Sequence, residues 1–329
     1  MSDTRMLSLA GLPIHWRPWP KRDPVAAILD CLDGDAAADP DERALDINLK
    51  PYDGLPELPP DASHYPLFFH GRTRVFGGDN TINFFDGASL LRLSSDATSL
   101  TGSVHPDSLA DGHTFSHATL LIALAVALRL RGRFHIHGGL VSLPTLGTIL
   151  VAGDAAHGKS TTTLSLLSRG GTLAADDTLY LDPAQRCIWG LPKPLNLSPR
   201  TADAFALLTR RVTTPGVAEN GKRSYPVRAL FPGAVAPSLG YPDWLLFPRI
   251  TGEATSRLEP LGSTDALGGL MTASALVAVD GLAKGDAHLD ALLALATAGR
   301  SYELLLGLDA LAQPALLIDL LDAERQRRR

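Results

Sequence analysis

The 329-residue chain carries 30 basic against 35 acidic residues, a net charge of −5, which argues against a general electrostatic nucleic-acid binder. Its 45% hydrophobic and 20% charged residues make an ordinary globular composition, with apolar material for one large domain or two of common size. The two cysteines, Cys31 and Cys187, lie far apart in no metal-like spacing, which suggests neither a disulfide framework nor a zinc site and fits a reducing, cytoplasmic setting.

The first 20 residues have no long apolar core ahead of a small-residue cleavage site and do not read as a signal peptide. Proline recurs through residues 1–66, so long helices are not expected there, although Val25–Leu32 suits a short one. The segment reads as a surface wrap, anchored by Trp16 and Trp19. From Leu67 to Val104, short β-like runs alternate with turn chemistry at residues 77–80 and 86–87, which predicts a small antiparallel sheet. Its exposed edge is a candidate strand-addition surface for a peptide.

Phe115–Leu130 follows as an apolar helix, too short in its uninterrupted run to span a bilayer, so no membrane partner is expected. Arg129, Arg131 and Arg133 read as a solvated helix end. Phe134–Leu143 reads as a strand bearing His135 and His137.

The densest chemistry begins at residue 148. The run Thr148-Ile-Leu-Val151 leads into Gly153, Asp154, Ala155, Ala156, His157, Gly158, Lys159, Ser160 and Thr161, and helix formers follow. Strand, G-x-x-x-x-G-K-S and helix in that order is the phosphate-loop pattern: glycines let backbone amides turn inward around an anion, and the helix N-terminus adds partial positive charge. In such a loop Lys159 reaches the β and γ phosphates, and the Ser160 hydroxyl is a ligand for Mg²⁺. A helix from Lys159 travels about 15 Å away from the phosphates, so Thr172–Ala175 is expected to return as the next parallel strand. It ends at Asp176 and Asp177, where one carboxylate can hold metal and the other can accept a hydroxyl proton.

Farther on, Ala202–Leu208 reads as helical, and the turn-rich stretch 213–227 carries Lys222 and Arg223 at its tip, as a loop able to close on a transferred phosphoryl group. Asp243–Phe247 reads as a buried strand, after which Arg249 is a candidate second phosphate contact. A helix near residues 286–298, a strand Ser301–Leu306, a helix Ala310–Leu321 and a solvated basic tail at 325–329 complete the chain.

His137-Gly138, the strand, G-D-x-x-x-G-K-S and then S-R-G-G-T-L-A-A-D-D together resemble the kinase domain of HPr kinase/phosphorylase and its relatives over about residues 135–182. The resemblance implies an α/β fold of the HPr kinase and phosphoenolpyruvate carboxykinase type over residues 113–329, with a Pro-rich segment and small β domain over 1–112. It implies an ATP- and Mg²⁺-dependent kinase acting on a serine of a peptide or small protein. Asp176 is then the base, Lys159 a phosphate contact, Ser160 and Asp177 the metal ligands, and His137 a support for the acidic pair. The later E-x-R-G-L-G-type signature with its metal-binding glutamate is absent, the comparable stretch being Trp189-Gly-Leu-Pro-Lys-Pro-Leu. That absence argues against reverse phosphorolysis and against HPr as substrate. The chain looks more like related kinases that occur beside lasso and other peptide natural-product genes. A small-molecule kinase and a nucleotide-binding regulator without turnover remain as alternatives, and oligomeric state is left open.

Overall fold

The computed structural model describes residues 4–19, 38–54, 56–58, 66–110, 115–154, 156–191, 193–218, 221–274, 276–313 and 315–327. It is a mixed α/β structure of two compact units, Met1–Phe134 with Leu276–His288, and His135–Ala275 with Leu289–Arg329. The expected helix Val25–Leu32 lies outside the described residues.

In the first unit, β1 (Arg5–Leu9), β2 (Leu12–Trp16), β3 (Leu45–Pro51), β4 (Phe68–His70), β5 (Thr73–Gly78), β6 (Thr81–Phe85), β7 (Leu90–Ser94) and β8 (Ser99–Val104) form one sheet in the order β1-β2-β3-β8-β7-β6-β5-β4. Strands β4 to β8 are the expected antiparallel meander, and its turns use the expected residues. Asn80 takes φ +53°, and Asp86 Oδ1 accepts from the amides of Ala88 and Ser89 at 3.0 and 2.7 Å.

The proline-rich start differs from the surface wrap expected of it, because it supplies three strands of this sheet. Leu45, Ile47 and Leu49 are buried while Asp46, Asn48 and Lys50 are exposed, the alternation of a half-buried strand, and β3 runs parallel to both β2 and β8. Pro13 precedes the point where pairing with β3 begins at Ile14, so its missing N–H leaves that ladder intact. Trp16 is buried, and Trp19 Nε1 donates to Leu49 O at 2.8 Å, so both tryptophans anchor the segment.

A π-helical turn, Phe115–Leu120, leads into the helix Leu121–Leu130, which is buried nearly all round. The units divide after Phe134 rather than at residue 112, and three arginines hold the helix within the first unit. Arg129 is fully buried and donates from Nε to Ala283 O (2.8 Å), from Nη2 to Leu282 O (2.9 Å) and from Nη1 to Leu276 O. Arg133 grips Glu42 bidentately at 2.9 and 2.7 Å, and Arg131 Nη2 donates to Arg43 O at 3.0 Å. The cluster expected to be solvated therefore stitches the helix to residues 276–283 and to the N-terminal strands.

In the second unit, β9 (Phe134–Leu143), β10 (Gly147–Ala152), β11 (Thr172–Ala175), β12 (Thr178–Asp182) and β13 (Cys187–Leu191) precede a separate three-stranded sheet of β14 (Leu195–Leu197), β15 (Gly216–Val217) and β16 (Arg223–Tyr225). After it come β17 (Ser238–Gly240), β18 (Trp244–Ile250), β19 (Arg257–Pro260) and β20 (Arg300–Leu306). The large sheet runs β17-β13-β12-β9-β10-β18-β20-β19, with β11 also paired to β9. Strands β10, β18 and β20 are mutually parallel. Strand β11 is not hydrogen-bonded to β10 as a simple crossover predicts. It pairs antiparallel with the other edge of β9, which itself runs antiparallel to β10. The helix Lys159–Leu167 buries Leu164, Leu166 and Leu167 against Val141, Ile149 and Val151.

At the C-terminal end, the helix near residue 290 spans Gly285–Ala298 and the expected closing helix is two pieces, Asp309–Ala312 and Leu316–Arg327. Arg325, expected in a solvated tail, donates to Thr145 O and pairs with Asp322. Among the described residues no helix is long and apolar enough to cross a membrane.

Arg129→Met keeps the packing volume but orphans three buried carbonyls. It should lower the unfolding free energy by about 3 kcal/mol. Urea unfolding measures it, and an unchanged midpoint would mean that water satisfies those carbonyls.

Candidate functional site

The apolar strand β10 delivers the chain into the loop 153–158, and the loop's backbone has the conformations its glycines permit. Gly153 takes φ +135° and Gly158 φ +101°, both in the region L side chains avoid. At Gly158 a Cβ would also come within 2.4 Å of Leu306 Cδ1, which would have to shift to make room for a larger residue. Ala156 takes φ +65°, and Ala155 lies outside the described residues. Gly158 is the N-cap of the helix Lys159–Leu167, which has no side-chain cap of its own, and its first turn closes through Thr162 N to Gly158 O at 2.9 Å. Among the described residues no side chain caps the first amides of this helix, the kind of helix start that suits an anion.

Lys159 is buried and folds back on the loop, donating from Nζ to Gly153 O (2.8 Å) and Asp154 O (2.7 Å). Burial lowers its pKa, partly countered by the carboxylates of Asp176, Asp177 and Asp154. Asp154 and Ala156 are exposed, His157 is partly exposed, and Thr161 Oγ1 lies 3.4 Å from Thr201 Oγ1.

The carboxylate pair sits between β11 and β12, beside β9. Its two members are in opposite electrostatic states. Burial raises the Asp176 pKa to about 6, although the Ser160 and Thr163 hydroxyls facing it pull the other way. Asp176 Oδ1 and Thr163 Oγ1 are buried without a well-directed hydrogen bond among the described residues. For half-exposed Asp177, burial is outweighed by the Lys193 ammonium and by His137, and its pKa falls to about 2. Lys193 Nζ donates to Asp177 Oδ2 at 3.2 Å and to Thr178 Oγ1 at 2.9 Å. His137 Nδ1 lies 2.9 Å from Asp177 O and 3.4 Å from Asp177 Oδ1, and the amide of Gly138 donates to Asp177 O at 3.1 Å. Burial lowers the His137 pKa against the pull of Asp177, which favours neutral imidazole at neutral pH.

The other nominated cations divide. Lys222 lies within electrostatic reach of Lys159 and lowers its pKa. Arg223 instead pairs with Asp203, at 3.1 Å. Arg249, a candidate phosphate contact in sequence, is exposed and held bidentately by Glu303 on the neighbouring strand β20. His135 has the structural role expected of it, edge-on to Tyr180 with a centroid distance of 5.8 Å.

Sequence reasoning missed two residues. Thr163 stands one helical turn after Ser160, and that i, i+3 spacing was its signal. Lys193 lies in the proline-flanked stretch after β13, and nothing local to it shows that it folds back on Asp177. Among the described residues no group of three or more His, Cys, Asp or Glu gathers as a metal cage. Ser160 with an ionised carboxylate is still a hard oxygen donor set of the kind that suits Mg²⁺, which takes its remaining ligands from phosphate and water. The cost is competition, since the carboxylate Asp177 is already engaged by Lys193.

No protein-family model matches the chain, and no curated protein is significantly similar to it. Among solved structures it is similar to the HPr(Ser) kinase/phosphatase from Coxiella burnetii, at 14% identity over 59% of this chain and 97% of that one, with a TM-score of 0.32. Likeness at that level carries no argument, so residue roles rest on the geometry of this chain.

The Asp176 pKa is raised from 3.8 to about 6, so its contribution to stability is present below about pH 4 and is lost as pH rises through 6. Asp176→Asn should therefore be more stable than the wild type at about pH 8, by up to about 3 kcal/mol, and the gain should vanish near pH 4. Denaturant unfolding at the two pH values tests it; a gain independent of pH would show that burying the charge is not what Asp176 costs the fold.

Proposed function

We propose that the protein is an ATP- and Mg²⁺-dependent kinase that transfers the γ-phosphoryl group to a serine hydroxyl of a peptide or small protein, of which a lasso-type precursor peptide is one example. One observation carries the reading: a buried carboxylate with a pKa near 6 faces the Ser160 hydroxyl at the mouth of a glycine loop whose helix amides are uncapped. That is the arrangement in which an acceptor hydroxyl and a triphosphate meet.

The uncapped amides of the loop and Lys159 hold the phosphates. Lys159 exchanges the carbonyls of Gly153 and Asp154 for phosphate oxygens. The serine oxygen forms its bond to the γ-phosphorus as the bond from that phosphorus to the β–γ bridging oxygen breaks, and ADP departs. Asp176, near neutral in its affinity for a proton, accepts the one the serine hydroxyl releases. Lys193 keeps Asp177 ionised beside it. Ser160 and Asp177 would hold Mg²⁺, which would supply positive charge to neutralise the triphosphate. Lys222 adds positive potential at the same loop.

A second reading, nucleotide binding without turnover, is favoured by one feature: Lys193 already neutralises the carboxylate nominated for metal. The two separate in a single assay of ATP consumption with candidate peptides, read by mass for added phosphate. Asp176→Asn should reduce transfer about 10²- to 10⁴-fold while leaving ATP affinity within about tenfold of wild type. Lys193→Met should lower the Mg²⁺ concentration needed for half-maximal rate several-fold, because the competing ammonium is gone. Tight ATP binding with no phosphate on any peptide selects the regulatory reading, and an unmoved Mg²⁺ dependence removes Lys193 from the site.

A further inference from the structure

An acidic protein concentrates its positive charge beside the phosphate loop. Between residues 193 and 228 there are seven basic and two acidic side chains, in a chain whose net charge is −5. This stretch folds as the short helices Pro199–Ala204 and Ala206–Thr209 packed with the three-stranded sheet of β14, β15 and β16, and it forms an open cleft of about 600 Å³. The floor is apolar, with buried Ala202 and Tyr225 and half-buried Ala206. The rim carries Arg210 and Arg223. Arg210 makes no ion pair among the described residues, and Arg223 is held by Asp203, itself 71% exposed.

The cleft is tied to the phosphate loop at two points. Ser198 Oγ caps the helix Pro199–Ala204 through Thr201 N at 3.1 Å, and Thr201 Oγ1 lies 3.4 Å from Thr161 on the loop helix. On the other wall, Arg223 and Tyr225 share the face of β16 that lines the cleft. The preceding residue, Lys222, acts on Lys159 of the loop. Adjacent residues of one hairpin thus serve the cleft and the phosphate site.

We infer that this cleft docks an acidic segment of the polypeptide acceptor, with an apolar side chain on its floor and carboxylates against Arg210 and Arg223. The inference rests on the kinase reading for the identity of the ligand as acceptor, but not for the binding itself. Charge complementarity selects the occupant: a carboxylate takes the place Asp203 now holds against Arg223, a second meets the unpaired Arg210, and a basic segment meets repulsion from both.

The test uses the full chain without nucleotide. A short fluorescein-labelled peptide of alternating glutamate and leucine, containing one serine, is titrated by anisotropy against a lysine and leucine peptide of the same length. The acidic peptide should bind and the basic one should not. Arg210→Glu should weaken binding about tenfold or more, and Asp203→Asn should strengthen it. Arg210 is exposed and unpaired among the described residues, so its substitution leaves the fold intact, which circular dichroism checks. Equal binding of both peptides, indifference to Arg210→Glu, or equal affinity for a single-stranded DNA oligonucleotide would overturn the assignment. Adding Mg·ATP then separates the two readings. Arg210-dependent binding without phosphate transfer keeps the cleft and removes the kinase, whereas serine phosphorylation insensitive to Arg210→Glu keeps the kinase and removes the cleft.

Discussion

The spacing between the helix Lys159–Leu167 and strand β9 governs the site, and Gly139 sets it. A Cβ at that position would lie 2.4 Å from Thr163 Oγ1 and 3.4 Å from Asp176 Oδ1, so a larger residue would force the Thr163 hydroxyl to move from its place beside the carboxylate. With hydrogen alone there, the helix settles close enough that Ser160 and Thr163, one turn apart on one face, look at Asp176. Strand β9 does this by being shared. Strand β10 pairs with one of its edges and delivers the loop, while β11 pairs with the other and delivers the two carboxylates.

Two adjacent aspartates come out of this packing with opposed acidities. Asp176 turns into the protein, where burying charge is expensive and two hydroxyls compensate only in part. Asp177 turns to the half-exposed side, where the Lys193 ammonium stabilises its negative charge. Separation of this kind lets a pair of identical side chains take distinct parts, one as a proton acceptor near neutral pH and one as a permanent anion. The same logic explains why Lys159 lies on the loop's own carbonyls: a buried cation needs acceptors, and those are the nearest ones.

The three arginines near residue 130, of which Arg129 and Arg133 are buried, show charge used structurally. Their sequence neighbourhood, the end of an apolar helix, is where solvated arginines are common, and only long-range partners distinguish the two cases. Glu42 is 91 residues from Arg133, and the carbonyl partners of Arg129 lie 147 to 154 residues away. Sequence proximity carries no trace of such pairs. The same holds for Arg249, whose local setting at a strand end beside the loop suits a phosphate contact, while β20 brings Glu303 alongside and occupies it.

What the amino-acid sequence determined by itself is local chemistry: the β10–loop–helix unit, the meander from Phe68 to Val104 with its Asn80 and Asp86 turns, the anchoring tryptophans, and the carboxylate pair at the end of β11. Each follows from periodicity, from φ restrictions or from turn chemistry acting within a few residues, and those forces do not need the rest of the chain. Tertiary structure alone decided which edge of β9 receives β11, that the proline-rich start joins a sheet, and that Lys193 rather than Arg223 or Arg249 meets an aspartate of the site. Those outcomes depend on pairing between segments far apart in the chain, where the strand edge and the ion partner are chosen by packing and desolvation, and neither is written in the spacing of neighbouring residues.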